Sequence, residues 1–120
     1  MAKKVLLAED DMTMVSLLKT LLKMEGYQVV ALDAEDDVPA AVRRERPDAL
    51  LLDVHLFQQS GLEILDTLRK AKDTRATCVV MTSGMNVKDE CLRRGANDFL
   101  LKPYMPDDLF DVLDRNINVQ

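Results

Sequence analysis

The chain has no apolar run long enough to cross a bilayer as a helix, which needs roughly 20 such residues. Its opening, MAKKVLLA, sets an apolar stretch after two lysines, but that stretch is shorter than the roughly 7 to 15 residues of a secretory h-region, so no signal peptide is expected. Cysteine is scarce. Cys78 lies in an apolar run and Cys91 in a helical pattern, so both read as packing residues suited to a reducing compartment. Positive charge is in deficit: 16 Lys and Arg stand against 21 Asp and Glu, a formal charge of −5. That balance speaks against an electrostatic nucleic-acid binder and for a small cationic partner or a metal. No repeat, linker or low-complexity stretch divides the 120 residues, which have the length of a single domain over 1–120. A chain of this size buries about two-thirds of the surface that its unfolded form exposes.

What is present is an alternation of short apolar runs with helical patterns. The runs are VLLA (5–8), QVVAL (28–32), ALLLD (49–53), CVVMT (78–82) and DFLL (98–101). Between the first two, Met14, Leu17, Leu18, Leu21 and Leu22 recur at helical spacing and predict one apolar face, stopped at Gly26. A second helix is predicted around Val38, Ala41 and Val42, with Pro39 in its first turn and Pro47 closing the segment. SGLE at 60–63 has the capping-box pattern, in front of a buried face of Ile64, Leu68 and Ala71. A short fourth helix falls between Asn86 and Gly95, and a fifth uses Leu109, Val112, Leu113 and Ile117 after Pro106 at the first helical position. Five strands alternating with five helices predict a doubly wound α/β fold, a parallel sheet covered on both faces through right-handed crossovers. The runs themselves read as continuous apolar stretches, as strands buried on both faces do.

The first apolar run leads directly into three carboxylates, Glu9, Asp10 and Asp11, which is more than helix capping needs. Open α/β sheets bind ligands beyond the carboxyl ends of their strands, at the switch in strand order. With the order 2-1-3-4-5 the first and third strands are neighbours, so Glu9 and Asp10 meet Asp53 in one crevice. Like charges that close raise one another's pKa unless a cation sits among them. Oxygen ligands in small number favour Mg²⁺, which keeps waters and accepts phosphate oxygens as further ligands. Lys102, in LLKPY, and Ser83, in VVMTSG, end the fifth and fourth strands and bring an ammonium and a hydroxyl to the same crevice.

Taken together, AEDD (8–11), LLLDV (50–54), TSG (82–84) and LLKPY (100–104) resemble, in order and over essentially the whole chain, the receiver domain of two-component response regulators. The resemblance implies a flavodoxin-like three-layer sandwich and a phosphorylation-controlled switch. It makes Glu9 and Asp10 the acidic pair for Mg²⁺, and Asp53 the aspartate phosphorylated by a sensor histidine kinase or a phosphotransfer protein. At His55 it implies a backbone carbonyl as a further metal ligand. Ser83 resembles the hydroxyl that bonds the phosphoryl group, Gly84 the small residue beside it, and Lys102 the ion-pairing cation. Pro103 resembles the proline after a cis peptide bond, and Phe99 the switch aromatic. Asp11 matches no functional position and reads as a helix-start residue. The resemblance further implies an output face of the fourth helix, fifth strand and fifth helix, with homodimerisation through it among the expectations. It implies slow Mg²⁺-dependent self-phosphorylation from small phosphodonors and self-dephosphorylation, a cytoplasmic location, and no direct contact with nucleic acid or membrane.

Several residues depart from the family pattern. Phe57 stands where a proline is common and Ser60 where an acid is common, although Gly61 is kept. The interval from Gly84 to Gly95 is short, so the fourth helix is expected to be short or irregular. Met85 is apolar at a position that tunes water access, and His55 is the chain's single histidine. Three other readings compete. An aspartyl-nucleophile phosphatase would want an aspartate where this chain has His55. A phosphorylation-independent interaction module would not need the intact acidic set. An FMN protein would offer hydroxyls and glycine, not Glu9 and Asp10, in its first loop.

Overall fold

The computed structural model describes residues 2–117. Along the chain run β1 (Lys4–Ala8), α1 (Met12–Met24), β2 (Gln28–Ala31), α2 (Val38–Glu45), β3 (Ala49–Asp53), β4 (His55–Leu56), β5 (Gln59–Ser60), α3 (Gly61–Lys70), β6 (Val79–Ser83), α4 (Lys88–Arg93), β7 (Asp98–Leu101) and α5 (Pro106–Ile117). β1, β2, β3, β6 and β7 form one parallel sheet in the order β2-β1-β3-β6-β7. With the two-residue strands β4 and β5 set apart as a hairpin of their own, this is the predicted 2-1-3-4-5.

Successive side chains of a strand point to opposite faces, so each central strand feeds two cores. Leu6, Leu50, Leu52, Met81 and Phe99 pack with Ala41 of α2, Leu65 and Leu68 of α3 and Cys91 of α4. Leu7, Leu51, Val80 and Leu100 pack with Leu18 and Leu22 of α1 and with Leu109 and Leu113 of α5. Registers Leu6↔Leu50, Leu52↔Met81 and Met81↔Phe99 keep like faces together across the sheet.

Local signals bound the helices. The Asp11 carboxylate accepts the N–H groups of Thr13 at 3.0 Å and Met14 at 3.1 Å, so this acid caps α1. Asp37 caps α2 with Pro39 in the first turn, and Ser60 Oγ accepts the Glu63 N–H at 3.3 Å. Gly26, at φ 91°, follows the end of α1 in the left-handed region that an L side chain avoids.

Three expectations need correction. Leu17 is 51% exposed; the turn of α1 puts Leu18 and Leu22, not Leu17, against the sheet. Ala71 lies beyond α3 with extended backbone, and Leu65 joins Ile64 and Leu68 on the buried face instead. β2 is an edge strand whose residues are exposed or half-buried, because it has a neighbour on one side alone, so only Leu32 beyond it reaches full burial. The β4–β5 hairpin was not predicted, since two-residue strands are too short for periodicity to register.

Candidate functional site

Alternation along the strands explains why the polar groups meet. Glu9 comes two residues after Leu7, Asp53 two after Leu51 and Lys102 two after Leu100, and all three of those leucines face α1 and α5. The acids and the lysine therefore leave the sheet on the same side, at its carboxyl edge. Lys102 Nζ lies 2.7 Å from Glu9 Oε1 and 2.9 Å from Asp53 Oδ2. Glu9, Asp10 and Asp53 each offer a carboxylate oxygen, and these oxygens lie within 4.8 Å of one another. Glu9 and Asp53 are buried and Asp10 is exposed, so the cluster opens to solvent through Asp10.

Backbone groups hold each carboxylate in place. Asp11 N–H donates to Glu9 Oε2 at 3.1 Å, His55 N–H to Asp53 Oδ1 at 3.2 Å and Phe57 N–H to Asp10 Oδ2 at 3.1 Å. Burial raises the Glu9 pKa above the ordinary carboxylate value and the nearby Asp53 charge adds to it, while the bonds from Lys102 and Asp11 act the other way. Burial also disfavours the Lys102 charge, but its bonds to Glu9 and Asp53 outweigh that and its pKa lies above the usual lysine value. Tyr104 sits beside this group. Its hydroxyl is buried without a hydrogen-bond partner among the described residues, and burial followed by the Glu9 charge pushes its pKa up to about 12. Three oxygen ligands with an open side match the needs of a hard cation that keeps several waters.

Ser83 ends β6 two residues after Met81, so strand alternation turns it to the opposite face, the layer that also holds Phe99. It is buried, and its Oγ accepts the Met85 N–H at 3.0 Å. Phe99 is buried among Met81, Cys91 and Ala96. Thr82, which the sequence reading passed over, is the register partner of Asp53 and is buried as well; only pairing across the sheet distinguishes it from its neighbour Ser83. His55 is exposed and its side chain is not in the acid cluster; Met85 is also exposed. A Cβ at Gly84 would meet nothing within 4 Å, so space does not require glycine there. At Gly61 a Cβ would overlap the Asp53 carbonyl oxygen and approach Val54 Cα to 2.9 Å. The Lys102–Pro103 peptide bond is cis.

Known proteins share this arrangement of chain. Over 117 residues, 93% of this chain and 96% of the relative, it is 32% identical to the chemotaxis protein CheY of Listeria monocytogenes. It is 30% identical over 111 residues to the DNA-binding response regulator MtrA of Mycobacterium tuberculosis, covering 91% of this chain and 48% of MtrA. The chain thus spans about half the length of that regulator. A crystal structure of the receiver domain of a sensor histidine kinase from Pseudomonas aeruginosa, with a magnesium ion coordinated in the active site cleft, aligns with TM-score 0.86 and 26% identity over 98% of this chain and 99% of that one. With the model of the response regulator receiver domain matching residues 5–114, the chain belongs to the response regulator receiver domain family.

Proposed function

We propose that Asp53 is the phosphoryl acceptor of a two-component switch, with a histidine kinase or phosphotransfer protein carrying the donor phosphohistidine. The observation that carries this reading is the contact of Lys102 Nζ with both Asp53 and Glu9, beside the three clustered carboxylates. A carboxylate acts as a nucleophile toward phosphorus in known aspartyl-phosphate chemistry. An Asp53 oxygen forms the new bond to phosphorus as the bond from phosphorus to the donor ring nitrogen breaks, and that electron pair stays on the imidazole. Glu9, Asp10, Asp53 and the His55 carbonyl are the residues that would hold Mg²⁺, whose charge offsets that of the transferring oxygens. Lys102 does the same from the protein side, and Ser83 gives a hydroxyl to the product.

In this reading the phosphoryl group adds about −1.5 to −2 charge and three acceptor oxygens. These recruit Ser83 and Lys102, and the resulting shift is read on the face of α4, β7 and α5, where Leu92 and Leu101 are exposed. The same face serves homodimerisation. Partners are proteins in the cytoplasm; a domain of net charge −5 does not itself contact nucleic acid. Small phosphodonors also label it, and the acyl phosphate then hydrolyses slowly.

Incubation with acetyl phosphate and Mg²⁺, followed by intact mass and site mapping, tests the assignment. One phosphoryl group on wild type and none on Asp53→Asn is the expected result. Equal labelling of the variant would sink it.

A further inference from the structure

The two central residues of the β4–β5 turn are Phe57 and Gln58, and Phe57 has φ 52°. A left-handed backbone at the first central position of a two-residue hairpin normally calls for glycine, asparagine or aspartate, and a bulky side chain there is strained. Such strain persists only when the surroundings over-determine it. Here two contacts do so. The Phe57 ring packs, partly buried, against the core beneath α2 and α3. Its N–H donates to Asp10 Oδ2 at 3.1 Å, across 47 residues of sequence. A proline, common at this position in the family, has no N–H to donate and cannot adopt a positive φ.

Asp10 is the exposed member of the acid cluster, and the turn of the hairpin holds it, while His55 of β4 holds Asp53. We propose that Phe57 is a positioning residue for the cation site: its left-handed backbone aims the N–H at Asp10 Oδ2, which sets the rotation of the carboxylate and leaves its other oxygen for a divalent ion. The hairpin and the cation site are then one coupled unit. Partners that orient metal ligands matter nearly as much as the ligands, because an unfixed carboxylate must be ordered when the metal binds. The inference rests on reading the crevice as a cation site, though not on phosphorylation of Asp53.

The test is Mg²⁺ titration followed by ¹H–¹⁵N NMR, without phosphodonor, on wild type, Phe57→Gly, Phe57→Pro and Asp10→Asn. In wild type the residue 57 amide is expected to shift along the same saturation curve as the amides of residues 10 and 53. Asp10→Asn should move that amide before any Mg²⁺ is added. Phe57→Gly keeps the N–H and readily adopts the left-handed backbone but loses the ring packing, so its affinity should fall less than that of Phe57→Pro. Phe57→Pro should bind roughly tenfold more weakly or worse, the range seen when a ligand-orienting partner is lost. A silent residue 57 amide during wild-type titration, or unchanged affinity in Phe57→Pro, overturns the proposal while leaving the cation site standing. No saturable Mg²⁺ binding to wild type overturns both.

Discussion

Gly61 contributes no atom to the chemistry, yet it borders the site more closely than several residues that the sequence points to. Its N–H donates to Val54 O at 2.7 Å, and a side chain there would push into the Asp53 carbonyl. Gly61→Ala is therefore expected to lower stability by about 1–3 kcal/mol, the usual range for overpacking. Urea denaturation reads that loss, and slowed labelling of Asp53 by acetyl phosphate should accompany it; a variant as stable and as quickly labelled as wild type would contradict the contact. Asp98 works at a distance from the crevice. Burial raises its pKa, but the Arg115 guanidinium at 2.9 Å, the Asn116 amide at 2.9 Å and the Phe99 N–H outweigh that and hold it below the ordinary carboxylate value. A folded-state pKa below the unfolded one means stability that is present above the unfolded value and lost as pH falls through the folded one. Asp98→Asn should accordingly flatten the stability–pH slope between about pH 5 and pH 2, as followed by thermal unfolding. A slope identical to wild type would show that other acids carry it. That Glu9, Asp10, Asp53 and Lys102 gather in one place was legible from residue type and position at strand ends. Gly61's reason and Thr82's placement were not, because a steric clash and a cross-strand register exist only once the chain has folded.

Among the helices, α4 stands apart. It has six residues; Val87 at its start provides no side-chain cap, and the side-chain support of its first turn is a long bond from Lys88 N–H to Asn86 Oδ1 at 3.4 Å. Its far end is better held: Arg94 contacts Asp66 of α3 and Glu90, and Arg69 Nε donates to Gly95 O at 2.8 Å. Gly95, at φ 106°, then turns the chain toward β7. A helix tied at its C-terminal end and loose at its N-terminal end pivots on the tied end. Within α4 amide exchange is expected to be fastest at residues 88–90, ahead of Cys91 whose N–H donates to Val87 O at 3.0 Å, and to change over residues 84–104 when beryllofluoride and Mg²⁺ mimic the phosphoryl group. Asp66→Ala should speed exchange across α4 even without the mimic. Changes restricted to residues 9–11 and 53–57 would mean that the crevice is not coupled to α4. The shortness of this helix was legible in the spacing of Gly84 and Gly95. Its tether to α3 was not, since Asp66 and Arg94 lie 28 residues apart and nothing local marks them as a pair.

For the molecule as a whole, the acid cluster sets functional chemistry against stability. Three carboxylates drawn together repel, and Lys102 offsets only part of that. A divalent cation binding the folded state alone should raise the unfolding temperature with concentration, by RT ln(1 + [L]/Kd) in free energy. Without cation, Asp10→Asn should be at least as stable as wild type, and Mg²⁺ should then add little; calorimetry with and without the ion decides, and an equal gain in both proteins would place the ion elsewhere. Alternation of apolar runs with helical periodicity was enough to determine the doubly wound sheet, because strands buried on both faces and helices with one apolar stripe have few other ways to cover themselves. Residue types at strand ends likewise pointed to the acids and the ammonium that gather at the crevice, since parallel strands all deliver their carboxyl ends to one edge. Only tertiary structure decided which face each group takes, that Asp53 lies level with Thr82, that β2 is a thinly covered edge, and that a strained Phe57 reaches back to Asp10. Those features depend on register and on contacts between residues tens of positions apart, and neither composition nor periodicity carries information about such distances.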